Sequence, residues 1–125
     1  MNRKLLYGIV FLVVLAVTFY LKNGERNSYP DEGFDRNSGP LIYTRHARCR
    51  MSCRDITENE IRFILNNGIV NKSKSDLNSK PEPKYAVEGY GDNRQHLRVI
   101  FAPSTRGMVV ITCIDLEKEW KCDCK

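Results

Sequence analysis

The sequence predicts an α+β fold, with two N-terminal helices packed on a three- to four-stranded antiparallel sheet and a single N-terminal transmembrane helix ahead of them. Three observations carry that prediction. Leu5 to Leu21, LLYGIVFLVVLAVTFYL, is an apolar run without a charge. Thr57 to Gly68 combines helix-end signals with apolar residues at a helical period. Beyond Gly68 the apolar residues alternate with a period of two.

The apolar run is 17 residues long, follows Arg3 and Lys4, and is closed by Lys22. The core of a secretory signal spans roughly 7–15 residues and a membrane-crossing helix roughly 17–25. Val14-Leu15-Ala16 is a weak cleavage match, and cutting there would leave Val17 to Leu21 as an apolar terminus. Residues 1–22 are therefore expected to be an uncleaved anchor rather than a removed signal. A run with no polar stripe leaves a helix no solvent face, which argues against an apolar core helix of a soluble protein. Lys22, Arg26 and Arg36 nearly balance Arg3 and Lys4, so loop charge does not fix the orientation. The short basic head before the run has the form of an export signal, which predicts a single-pass protein with an extracytoplasmic (periplasmic) C-terminal domain.

Residues 23–40, NGERNSYPDEGFDRNSGP, are polar and rich in Gly, Pro and Asn, and are expected to be a flexible linker. Residues 41–125 then form one small α+β domain with a Cys-rich tail. Without Arg3 and Lys4, 18 basic residues stand against 15 acidic ones. Such mild basicity does not mark a general polyanion binder. The charge is instead concentrated in Arg45-His46-Ala47-Arg48-Cys49-Arg50-Met51-Ser52-Cys53-Arg54, which contains no acid.

That segment predicts a short first helix, with Ala47 and Met51 facing the core at i, i+4 and with His46, Cys49, Arg50 and Cys53 sharing another face. The second helix is marked by a capping box, Thr57 with Glu60, by the staple residues Ile56 and Ile61, by the stripe Ile61, Ile64 and Leu65, and by Gly68 as terminator. Ile69 to Asn71 reads as a short strand. Two prolines in Lys72 to Lys84 exclude regular structure there. Three strands follow: Tyr85 to Tyr90, His96 to Ala102 after the turn at Gly91-Asp92-Asn93, and Met108 to Leu116 after Pro103 to Gly107. Leu97, Val99 and Phe101 line one face of the middle strand, and His96, Arg98 and Ile100 the other.

His46-Ala47-Arg48-Cys49-Arg50-Met51-Ser52-Cys53-Arg54, with Ile56, Glu60, Ile61 and Gly68 after it and Tyr85 to Gly89 and Leu97 to Phe101 beyond, resembles a small bacterial family of unknown function. Its signature is His-Ala-x-x-Arg-Met-x-x-Arg, and it is grouped by predicted fold with the barnase, EndoU, colicin and RelE superfamily, the RelE/BrnT-type ribonuclease toxins. The resemblance spans roughly residues 43–116. It implies two helices on a four-stranded antiparallel sheet, with His46, Arg50 and Arg54 at the motif positions.

Metal-free RNA cleavage needs a proton acceptor for the 2′-hydroxyl, a proton donor for the leaving oxygen, and cations for the phosphorane. His46 or His96 could move protons. Arg50 and Arg54, with Arg45, Arg48 and Arg98 as further phosphate ligands, could hold the charge. Against this stand the extracytoplasmic placement and the lack of aromatic residues for base stacking within the basic segment. The arginines equally suit a solvated basic face with ion pairs to Asp55 or Glu60.

Cys49 and Cys53, with Cys122 and Cys124 of the tail, offer four sulfurs. They could ligate a tetrahedral zinc ion, remain free, or form two cross-links from the tail to the first helix. Disulfides are preferred, because the spacings are not zinc knuckles and the compartment is expected to be oxidising. Cys113 is the odd one, a buried strand thiol. Asp115, Glu117 and Glu119 read as solvent-facing strand residues. The function expected is thus a membrane-anchored binding or accessory domain with a RelE-like fold, whose partner is an unknown protein or anionic ligand. RNA cleavage is the alternative, and a Cys-based structural zinc site the second.

Overall fold

The computed structural model describes residues 2–24 and 33–124. They divide into two compact units, one N-terminal and one beginning at Gly33. In the first, α1 runs from Arg3 to Gly24. Its stretch Arg3–Lys22 has mean hydropathy 2.2 with no part of it buried, which is long and apolar enough to cross a membrane or to act as a signal sequence.

The body contains β1 (Leu41–Tyr43), α2 (Arg45–Cys53), α3 (Glu58–Asn67), β2 (Ile69–Val70), a 3₁₀ turn (Lys72–Lys74), β3 (Tyr85–Tyr90), β4 (His96–Ser104) and β5 (Gly107–Asp115). The sheet has five strands in the order β1-β5-β4-β3-β2. All neighbours are antiparallel except β1, which lies parallel to β5 with Leu41 opposite Met108. The expected three- to four-stranded antiparallel sheet is corrected to a five-stranded mixed one. Three residues are too few for a periodicity signal, and only their partner 67 positions downstream makes Leu41–Tyr43 a strand.

Alternation within the strands follows the expected pattern. Val87, Val99 and Cys113 stand level across β3, β4 and β5, each fully buried. β4 continues through Pro103 to Ser104, which pairs with Gly107, so the connection is a two-residue turn. Gly107 has φ +149 and lies against the Pro40 carbonyl where a Cβ would stand. Between Ile100 and Phe101 the register shifts, leaving Ile111 as the extra residue of a bulge.

Both body helices cover the core face. Thr57 and Glu60 form the capping box reciprocally. Glu60 is 1 % exposed; its Oε2 accepts from Thr57 N–H at 2.7 Å, and its Oε1 from Asp92 N–H at 2.9 Å. The buried carboxylate thus links a helix start to the β3–β4 loop. Gly68 ends α3 in extended conformation, φ −71. Glycine is required there by close packing rather than handedness, since a Cβ would meet the Ile64 carbonyl and Val87 Cγ1 at 2.6 Å.

The linker expected over residues 23–40 lies outside the described residues at 25–32, but its last part belongs to the packed body. Phe34 is 5 % exposed and stacks on Tyr85 with centroids 4.5 Å apart. Arg36 donates to the carbonyls of Leu65 and Gly68 at 2.5 and 2.8 Å. One aromatic in a polar stretch carries no periodic signal, so composition alone misassigns it.

Candidate functional site

α2 lies along β5 where β1 no longer pairs with it. Thr44 caps the helix, its Oγ1 accepting from Ala47 N–H and donating to the Ile111 carbonyl, both at 3.0 Å. That carbonyl is the one freed by the bulge. Thr44 N–H donates to the Val110 carbonyl at 3.2 Å, and Arg54 Nη1 donates to the Cys113 carbonyl at the other end. Ala47 and Met51 are buried, as their spacing predicts.

The arginine and histidine candidates therefore have different environments. Arg54 is committed to β5; burial lowers its pKa, and Arg50 adds to that. Arg48 pairs with Glu58 at 3.2 Å and lies 4.8 Å above the Tyr43 ring. The expected partners Asp55 and Glu60 are replaced by Glu58, because Glu60 is turned inward by its cap. Burial pushes the Tyr43 phenol up, and the charge of Glu58 adds to that shift. Arg98 lies on the opposite face of the sheet, where its Nε donates to Glu88 Oε1 at 2.8 Å. Arg98 is thus not part of an α2 phosphate cluster. Arg50 Nε donates to His46 Nε2 at 3.4 Å, a contact that needs a lone pair on that nitrogen. Arg45 is exposed at the helix start, and among the described residues neither Arg45 nor Arg50 is paired with a carboxylate.

The four cysteines considered as zinc ligands are bonded in pairs, Cys49 to Cys124 and Cys53 to Cys122. Paired sulfurs are not thiolates, so in this structure none of the four is free to ligate zinc, the alternative to the preferred cross-links. Helical spacing puts Cys49 and Cys53 on adjacent turns. The tail, reversing after β5, matches them in antiparallel order. Cys113 is free and fully buried, and burial pushes its thiol up to about 11.

His46 and His96 lie on different elements, α2 and β4. His46 follows the cap level with Val110, whereas the His96 carbonyl accepts from Leu116 N–H at 2.8 Å. Val110 and Leu116 are six positions apart along the chain, roughly 20 Å of extended strand. His96 instead stacks on Tyr90, centroids 4.5 Å apart.

Asp115 has a role that the alternation of acids concealed. Its Oδ1 accepts from the N–H groups of Glu117 and Lys118 at 3.0 and 3.2 Å, and its Oδ2 from Trp120 Nε1 at 2.9 Å and Gln95 Nε2 at 3.4 Å. Burial raises its pKa, but these hydrogen bonds outweigh it and hold the carboxyl below its ordinary 3.8. An aspartate ahead of polar residues is a turn signal, and it was available in the sequence.

A family model described as "Domain of unknown function (DUF4258)" matches residues 43–115. No curated protein and no solved structure matches the chain.

Proposed function

Since the chain belongs to the DUF4258 family, whose description carries no activity, we propose that it is a membrane-anchored, extracytoplasmic binding domain with a RelE-like fold and the His-Ala-x-x-Arg-Met-x-x-Arg signature, presenting Arg45, His46 and Arg50 to an anionic ligand. One observation carries the proposal: α2 is cross-linked at Cys49 and Cys53, while the basic residues one turn away are left without a carboxylate partner among the described residues. Disulfides persist in oxidising compartments, which supports placing the body outside the cytoplasm. The first turn of α2 holds Arg45, His46 and Arg48 and no acid, against the preference of a helix N-terminus for negative charge. A bound anion there relieves the repulsion.

RNA cleavage is the less favoured activity, because Arg54 and Arg98 are engaged elsewhere and the two histidines lie on different elements. Full-length protein in detergent micelles should bind inorganic polyphosphate or a short RNA with affinity falling as salt rises. Arg50→Ala should lower the log–log salt slope by about one. No binding at low salt rejects the anion-binding proposal. Loss of RNA cleavage in His46→Ala at unchanged affinity would instead establish an enzyme.

A further inference from the structure

The end of the tail is held on α2 by its sulfurs alone. The last hydrogen bond from the tail to the sheet runs from Trp120 Nε1 to Asp115 Oδ2. Beyond it, among the described residues, what joins the tail to α2 is the Cys49–Cys124 and Cys53–Cys122 bonds, with the helix sulfurs 3.9 and 3.6 Å from the carbonyls of Asp123 and Lys121. All four cysteines are partly exposed, so a dithiol can reach both bonds. What holds the tail after reduction depends on where the four sulfurs stand.

Their backbone positions form a near-rectangle. The Cα atoms lie 5.8 Å apart across Cys49–Cys124 and 5.9 Å apart across Cys53–Cys122. Four residues at ~1.5 Å rise put Cys49 and Cys53 about 6 Å apart along α2. Cys122 and Cys124, two residues apart in the tail, span up to about 7 Å. The centre of this figure is therefore about 4 Å from each Cα. A cysteine side chain with a Zn–S bond of ~2.3 Å reaches roughly 4–5 Å from its Cα, so one zinc ion at the centre is within range of all four sulfurs. Two sulfurs come from the helix and two from the tail, which supplies the ion from two sides, as a tetrahedral site requires.

The surrounding charge suits a thiolate complex. Zinc with four thiolates carries net negative charge, and cations beside a cysteine favour its thiolate. Arg50 follows Cys49 and Lys121 precedes Cys122, neither paired with a carboxylate among the described residues; Asp123 is the acid between the tail cysteines. His46 shares the helix face, but its Nε2 is taken by Arg50 Nε, which leaves sulfur as the ligand type. We propose that these four cysteines are a redox-gated zinc site: two disulfides fasten the tail to α2 in the oxidised chain, and one zinc ion held by Cys49, Cys53, Cys122 and Cys124 fastens it in the reduced chain. A dithiol supplies the electrons. Each protein disulfide takes two electrons and two protons from one dithiol, which leaves as a disulfide, and zinc then displaces four protons from the four thiols. Reduction removes both loop closures, so zinc uptake is coupled to recovery of stability.

Full-length protein in detergent micelles is reduced with a phosphine, freed of excess reagent under argon, and titrated with Co²⁺ and then Zn²⁺. One cobalt per chain is expected, with the visible and sulfur-to-metal bands of tetrahedral thiolate coordination, followed by its displacement by one zinc. The urea midpoint of the reduced protein should be higher with zinc than without, which adventitious binding to an unfolded chain would not produce. Oxidised protein should give no such cobalt spectrum. Cys53→Ser with Cys122→Ser removes two of the four ligands and should weaken zinc binding roughly a thousandfold or more. In its oxidised form this variant keeps the Cys49–Cys124 bond, and far-UV dichroism there checks that it folds. His46→Ala should bind zinc as wild type does. The proposal is overturned if reduced wild type takes up no single equivalent of metal, if the cobalt spectrum lacks the thiolate bands, or if zinc leaves the urea midpoint unchanged. It is equally overturned if the double variant binds as tightly as wild type, or if His46→Ala abolishes binding.

Discussion

Removing the two cross-links in succession should give unequal losses of stability, the second larger than the first. Cys49–Cys124 and Cys53–Cys122 close loops of 75 and 69 residues, one nested in the other. By the chain-entropy relation a lone loop of this size restricts the unfolded state by about 4.4 kcal/mol at 25 °C. Once one bond exists, the other closes a further ring of only six residues. That second closure is worth about 2.2 kcal/mol by the same relation. Cys49→Ser with Cys124→Ser should therefore cost about 2 kcal/mol, and replacing all four cysteines about 6–7 kcal/mol. A body of this length has a total stability of roughly 5–14 kcal/mol, so the second change brings it close to unfolding.

Urea unfolding of full-length protein in detergent micelles, followed by Trp120 fluorescence without reductant, measures both values. The slope with urea should also steepen as cross-links are removed, because the unfolded chain expands. A single-pair variant as unstable as the four-cysteine variant would refute the nested-loop reasoning. So would a total loss below about 1 kcal/mol, which would mean that the tail does not constrain the unfolded chain.

Cys113 should resist iodoacetamide in native protein at about pH 8, where a thiol near 11 is about one part in a thousand ionised; mass spectrometry should find one alkylated cysteine after unfolding without reductant. Glu60→Ala leaves the Thr57 and Asp92 N–H groups without their acceptor and should lower stability by about 2–4 kcal/mol, read from the urea midpoint. Glu88 and Asp115 are both held below their ordinary 4.5 and 3.8: burial raises each, and hydrogen bonds, from Arg98 and Asn71 in the one case and from Trp120 and its neighbours in the other, outweigh it. Lowered carboxyls contribute stability that is present above those ordinary values and lost as pH falls through the native ones, so the urea midpoint should drop between about pH 5 and pH 3. Asp115→Asn should reduce that drop.

Local interactions made much of this protein legible from sequence. The capping box of α3, the inward positions Ala47 and Met51, the alternation of Leu97, Val99 and Phe101, and the apolar length of α1 depend on residues at most four positions apart, or on a simple period. The same holds for the sharing of one α2 face by Cys49 and Cys53. Whether those sulfurs would bond to the tail, bind a metal or stay free depended on where residues 116–124 travel after β5. Tertiary structure decided that, as it decided β1, whose partner lies 67 residues away. Phe34 is invisible to sequence patterning because a lone aromatic has no period, and charge density alone does not separate Arg98, which pairs with Glu88 across the sheet, from the α2 arginines. Sequence supplied the candidate chemistry through residue type. Long-range placement selected which arginines stay available, because a guanidinium already held by the Cys113 carbonyl or by Glu88 is not available to a ligand.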